Sequence, residues 1–266
     1  VVKLAAQYDV DVVDTKGLTF SAKSFALGSQ TIQVPADTFM TDYADAEIIA
    51  DYFQDQHVDA LFVPFCNFGQ EEAVAKLAKQ LHVPILVWAP RDPAPNGLDA
   101  RPTDSQCGIF AATKVLSRYG VTFSYIENCR LTDAAFEKGF VDFLSTARIV
   151  KAFRTARILQ LSVRPQQFLS VMVNEGELLE KFGIELVPIA GSMLVSTIKD
   201  ILVNRPDEVD EMVADIEKTL DMSRLKDKRV VAAIELGIMQ LAQKYHCTAV
   251  ACDCWYTIRS AFGIAP

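Results

Sequence analysis

What this sequence has little of narrows its function before any motif is read. No apolar run approaches the length of a bilayer span, and no signal-peptide pattern opens the chain. No Lys/Arg cluster stands out and the formal net charge is −8, which argues against a nucleic-acid-binding surface. No G-x-G-x-x-G or phosphate-loop motif follows a predicted strand, which speaks against a nucleotide-binding enzyme. Internal repeats and low-complexity segments are absent as well. The six cysteines, Cys66, Cys107, Cys129, Cys247, Cys252 and Cys254, mostly lie in or beside apolar segments. A chain this long needs no disulfide staples, so reduced thiols in a cytoplasmic protein are the expectation. Cys252 and Cys254 form a C-x-C pair around Asp253, but the second pair that a structural zinc needs is missing. Histidine is scarce too: His57, His82 and His246 are the three, and each precedes a predicted strand. That places them at the amino-terminal edge of a sheet, where none suits a base or a metal ligand.

What is present is ordinary for a soluble globular protein. Of the 266 residues, 50% are hydrophobic and 23% charged, enough for one large or two ordinary domains. Val58–Phe65 and Val83–Ala89 are apolar runs rich in Val, Ile and Leu, the pattern of parallel strands covered on both faces. Between them, Glu71–Leu81 carries Val74, Leu77, Ala78 and Leu81 at helical spacing, completing a βαβ unit. The pattern also predicts a strand at Val10–Asp14, helices at Ala44–Gln54 and Cys107–Tyr119, and a strand at Phe123–Glu127. Gly120 stands in a helix-ending position.

A long helix, Thr132–Phe153, then suits a connector into a second alternating series. This series has strands at Arg157–Val163, Ile184–Ile189 and Cys247–Cys254. Its helices fall near Glu175–Phe182 and at Ser192–Val203, Asp207–Leu220 and Arg224–Tyr245, with Pro206 and acidic residues suiting a helix start. The fold class is α/β: two consecutive Rossmann-like parallel-sheet domains, each a three-layer α/β/α, over 1–152 and 153–266. The chain opens inside a predicted helix and neither end carries a polar tail. A fragment, or the ordered part of a longer protein, is therefore expected.

Ligands of parallel sheets bind at the carboxyl ends of the strands, and the distinctive loops fall there. Cys66, Asn67 and Phe68 follow the first apolar run, with Gly69 permitting a tight turn. Asn67 offers a donor and an acceptor to sugar hydroxyls, and Phe68 a stacking face. An ordinary turn with Phe68 packed inward is the alternative. Arg91, Asp92, Arg101, Asp104 and Gln106 either pin a long loop or bind a polyol. Cys107 opens a helix, where a thiolate is stabilised, but no histidine lies nearby in sequence to serve as its base. Arg164–Pro165 ends a strand of the second series, with Glu175 or Glu177 as ion-pair partners and Pro165 as a first helical residue. Asp253, Cys254 and Trp255 close the last strand. Trp255 combines a flat apolar face with one donor, which suits a sugar, or else it packs on a following domain.

The motifs PFCNFGQE, WAPRD and DSQCG, followed by RILQLSVRPQQF, NEGELLEKFGIELVPI and AVACDCW, resemble the amino-terminal half of L-fucose isomerase-like proteins. The arabinose isomerases share that architecture. The resemblance runs from about Val10 to Pro266 and implies aldose–ketose isomerisation with a divalent metal, usually manganese. It also implies a homo-oligomer in which the loop matching Cys66–Phe68 reaches a neighbouring subunit's site, and a polar residue near Asp253 that contacts substrate. The fucose isomerases often carry tryptophan where Cys66 stands here. Two acidic residues and one histidine hold the metal in that family, all beyond Pro266. No catalytic and no metal-binding residue is therefore assigned to this chain.

The expected function is the amino-terminal portion of a sugar isomerase, with a small-molecule sugar as partner and neither nucleic acid nor membrane. The alternative is a two-lobed sugar-binding protein without catalysis. The single long connector at Thr132–Phe153 weighs against that alternative, because hinged lobes are usually crossed more than once.

Overall fold

Burial on both faces of a strand is what turns the apolar runs into a layered fold, and the computed structural model shows it directly. It describes all residues except 17, 19–22, 28, 29, 35–39, 41, 95–102, 226, 265 and 266. Arg101 thus lies outside the described residues. Contacts divide the chain into Val1–Lys151 and Ala152–Pro266.

In the first unit, helix α1 (Val2–Ala6) precedes an antiparallel hairpin, β1 (Lys23–Leu27) and β2 (Gln30–Val34), with Phe25 opposite Ile32. Then follow α2 (Tyr43–Asp55), β3 (Leu61–Pro64), α3 (Glu71–Leu81), β4 (Ile85–Pro90), α4 (Ser105–Arg118), β5 (Ser124–Cys129) and α5 (Ala134–Arg154). The strands pair in parallel, in the order β3-β4-β5. Alternation along β4 splits the core. Ile85, Val87 and Ala89 pack with α2, α3 and α4, while Leu86 and Trp88 pack with Phe136 and Phe140 of α5. The Trp88 ring meets Phe136 edge-on at 4.6 Å. Each such fully buried large side chain contributes about 1.5–3 kcal/mol.

Val10–Asp14 is not a strand. The Val10 amide is spent on the Ala5 carbonyl at the end of α1, and Val12 is exposed. Val10 and Val13 pack against different clusters, so the segment is anchored by side chains, and it has no ladder partner among the described residues. An apolar pattern without a neighbouring strand does not make a strand.

The second unit contains β6 (Arg157–Leu161), a 3₁₀ turn (Leu169–Val171), α6 (Glu175–Phe182), β7 (Glu185–Ile189), α7 (Gly191–Asn204), α8 (Pro206–Ile216), α9 (Lys228–Lys244), β8 (Ala249–Cys252), a π-helical turn (Cys254–Ile258) and α10 (Arg259–Phe262). The parallel order is β7-β6-β8. Leu159 and Leu161 of the central strand are buried with Leu194, Ile198 and Ile201 of α7 and with Ala232 and Ala233 of α9. Asn174 caps α6 through the Glu177 amide, and Gly183 ends it at φ +72°. Pro206 opens α8 at its first turn, followed by Asp207 and Glu208. The chain is therefore α/β, with two parallel three-stranded sheets flanked by helices.

His57, His82 and His246 share one structural role. Each sits just past a helix in the left-handed region, at φ +53°, +52° and +54°, and each is exposed. They reverse the chain into β3, β4 and β8, at the edge opposite the strands' carboxyl ends.

Candidate functional site

The carboxyl edge of the first sheet is a set of loops tied to one another. The Phe65 amide donates to Trp88 O at 2.8 Å, extending the pairing of β3 and β4 to the loop. Asn128 Nδ2 donates to Ala89 O and Pro90 O at 3.1 and 3.0 Å, fixing the end of β4 from β5. Gly69 turns the loop at φ +73°. Asn67 Oδ1 accepts from its neighbour Phe68 N at 2.8 Å and from Asp104 N at 3.0 Å, so one side chain joins the β3–α3 loop to the start of α4. Gly108 completes the joint. A Cβ there would lie 2.1 Å from Phe68 O, so only glycine lets α4 approach this closely. Phe68 is not packed into the core; the residue is 41% exposed.

Asp92 pins the long β4–α4 loop. Its carboxylate accepts from Thr103 Oγ1 at 2.7 Å and from the Ser105 and Gln106 amides at 3.0 and 3.2 Å. Those two amides open α4, and Asp92 supplies the helix cap that Asp104's own side chain does not make. Burial alone would raise the Asp92 carboxyl; the hydrogen bonds from Thr103, Ser105 and Gln106 outweigh it and hold the group at about 2. Because the carboxylate already fills this helix terminus, it is no anion site. Burial pushes the Cys66 thiol up, away from the thiolate a nucleophile needs.

At the carboxyl edge of the second sheet lies an open cleft of about 600 Å³, lined by Ser162–Gln166, Asp253, Tyr256 and Thr257. Asp253 is buried at 8% exposure and begins the π-helical turn. Its carboxylate accepts from Tyr256 N at 3.1 Å and Thr257 Oγ1 at 2.9 Å. Cys254 packs at the margin of the helical core. Burial, then the neighbouring Cys254 and Asp253, push Cys252 up to about 11. Trp255 is 53% exposed and meets Phe168 edge-on at 6.1 Å. Arg164 reaches neither Glu175 nor Glu177; it donates to the carbonyls of Pro165 and Gln166 in its own turn. Pro165 starts no α-helix, and a turn leads to the 3₁₀ segment instead.

Three residues at this edge escaped sequence reading: Ser162 and Thr257 line the cleft, and Gly191 lies against them. Ser162 holds φ +72°, a strained conformation for serine. A Cβ on Gly191 would fall 2.8 Å from Thr257 Oγ1 and 3.1 Å from Ser162 Oγ, so the glycine keeps these hydroxyls close. Hydroxyls and amides suit a polyol. Among the described residues, no group of three or more His, Cys, Asp and Glu could hold a metal ion.

A family model described as fucose/sulfoquinovose isomerase, N-terminal domain, matches residues 16–154. The chain belongs to this family. Cys66, Asn67, Phe68 and Asp92 all fall within the matched residues. Two curated relatives, the sulfoquinovose isomerases of Priestia aryabhattai and Priestia megaterium, are each 20% identical over 245 residues, covering 90% of this chain and 53% of theirs. The chain thus spans about half the length of the curated relatives it matches. Among solved structures, an L-serine ammonia-lyase from Rhizomucor miehei aligns over 76% of this chain and 79% of its own at 12% identity. Its TM-score of 0.19 carries no structural inference.

Proposed function

We propose that this chain is the amino-terminal, sugar-facing part of an aldose–ketose isomerase acting on sugars of the fucose or sulfoquinovose type. The family match over residues 16–154 is the observation that carries this reading. The relatives named for sulfoquinovose isomerisation support the same reaction class.

Such a reaction moves hydrogen between C1 and C2 of the open sugar through an enediol-like intermediate. A divalent ion, manganese by the family likeness, supplies polarisation of the two oxygens when bound. Among the described residues no group of three or more His, Cys, Asp and Glu could hold it, and by the family likeness its ligands lie outside this chain. The work of this chain is to bind and orient. Cys66, Asn67 and Phe68 supply contacts at the edge of the first sheet, and Asp253 lines the cleft of the second, with Cys254 and Trp255 following it in the same turn. Phe68 and Trp255 are exposed aromatic residues, and a pyranose has apolar C–H faces that stack on such rings. Asp253 acts by holding the π-helical turn, since its carboxylate is spent within that turn. The protein works as a cytoplasmic homo-oligomer in which the Phe65–Gln70 loop meets a neighbouring subunit.

The test is isomerisation by the full-length protein supplied with manganese, following ketose formation from L-fucose and from sulfoquinovose by NMR. Conversion of either sugar is expected. Tight binding of a sugar without any conversion would refute the isomerase and leave a binding protein.

A further inference from the structure

Among the described residues, both amide hydrogens of Asn67 are left without an acceptor. Its Oδ1 takes two backbone N–H groups, Phe68 N at 2.8 Å and Asp104 N at 3.0 Å. Those donors fix the orientation of the side-chain amide. A flipped amide would point Nδ2 hydrogens at two N–H groups and lose both bonds. The joint around it is tight, because Gly108 brings α4 against the Phe68 backbone. The side chain cannot rotate without parting the two loops. Asn67 is nevertheless exposed at the carboxyl edge of the sheet. No described residue accepts from its Nδ2. At the neighbouring start of α4, Asp92 already takes the Ser105 and Gln106 amides.

We propose that Asn67 is a specificity-determining residue that presents a fixed hydrogen-bond donor, so that the sugar group opposite it must be an oxygen acceptor. This rests on the isomerase reading above. A ring oxygen or a sulfonate oxygen, which accepts and cannot donate, fits; a group that can only donate does not. Asn67 was expected to serve a hydroxyl as donor and acceptor together, and the structure has already spent the acceptor on the fold.

Asn67→Asp separates recognition from architecture. Aspartate keeps an oxygen for the two backbone amides and turns the ligand-facing donor into an acceptor. Asn67→Ala removes both functions. Each variant is compared with the parent full-length protein in isomerisation of L-fucose and sulfoquinovose, alongside thermal melts. Asn67→Asp is expected to melt within about 2 °C of the parent while its KM rises about tenfold or more, with a smaller change in kcat. Asn67→Ala is expected to melt lower and also to raise KM. An unchanged KM in folded Asn67→Asp overturns the inference and leaves the isomerase reading standing. A parent that converts neither sugar sinks that reading, and this one with it. Should Asn67→Asp not fold, the side-chain amide resonance of Asn67 in parent protein labelled at asparagine decides. A shift on adding whichever sugar the parent converts supports the donor role, and no shift at saturating sugar overturns it.

Discussion

Replacing Asp92 with asparagine tests whether one carboxylate holds the first sheet's loops together. Asp92 sits near 2 against an ordinary value of 3.8, so its charged form is favoured by folding. At 1.36 kcal/mol per pH unit this gap corresponds to at most about 2.5 kcal/mol. Water reaches part of the carboxylate, and screening reduces the expected contribution to about 1–2 kcal/mol. A group with a depressed folded value contributes fully above its unfolded value. Its contribution therefore persists above about pH 4 and fades as pH falls toward 2; roughly half is gone by pH 3. The asparagine side chain would keep the shape and one acceptor but would offer hydrogens where the α4 amides need an oxygen.

The two tryptophans give a convenient assay. Trp88 is buried in the same unit as Asp92, and Trp255 is half exposed in the other. In a Trp255→Phe background, Trp88 emission reports urea unfolding of the first unit alone. Asp92→Asn is expected to lower its stability by about 1–2 kcal/mol at pH 7. The difference between the two proteins should narrow as pH falls from 4 to 3. A difference that stayed constant across that range would refute the electrostatic reasoning. No difference at pH 7 would mean that the loop is held by something else.

Gly108→Ala would drive a methyl group into Phe68 O at 2.1 Å. It should destabilise the first unit by about 2–3 kcal/mol in the same urea assay and raise amide exchange at Phe68 and Asp104. Trp255→Ala removes a half-exposed ring whose recorded ring contact is Phe168. It should cost about 1 kcal/mol of stability, against about 3–5 kcal/mol for a buried aromatic, while reducing kcat/KM of the full-length protein about ten- to a hundredfold. A large loss in the melt with normal kinetics would assign Trp255 to packing instead.

How much could be read in advance depends on the range of the forces involved. Helix α3 was legible to its ends, because four apolar residues at helical spacing and the acidic pair Glu71–Glu72 are local signals. The β4 strand was legible because both of its faces are buried, leaving no polar alternation. Helix α6 was legible from Asn174 before it and Gly183 after it. Val10–Asp14 misled because VDVVD has strand-like residues but no partner, and a ladder is a property of two segments. The hairpin β1–β2 went unread although the sequence has Gly-Ser between two alternating runs, a known two-residue turn signal. The π-helical turn after β8 could not be read from CWYTI, but Asp253 immediately before it is a helix-capping residue type, and that signal was available.

The positions of Asn67 and Asp92 were legible in the sequence; the bonding of their atoms was not. Sequence places Asn67 and Asp92 at the edge where parallel sheets bind ligands, because each follows a strand. Which of their atoms remain free depends on Asp104, 37 residues beyond Asn67, and on Thr103, 11 residues beyond Asp92. A polar side chain at such an edge has a fixed number of hydrogen bonds to make, and backbone amides left over from a loop or a helix start compete for them. Asp92 loses its acceptor oxygens to that competition and becomes architecture. Asn67 loses only its oxygen, because an amide carries donors that no backbone N–H can use. This difference in chemistry, a carboxylate with acceptors alone against an amide with both, makes Asn67 rather than Asp92 the group with a hydrogen bond to give.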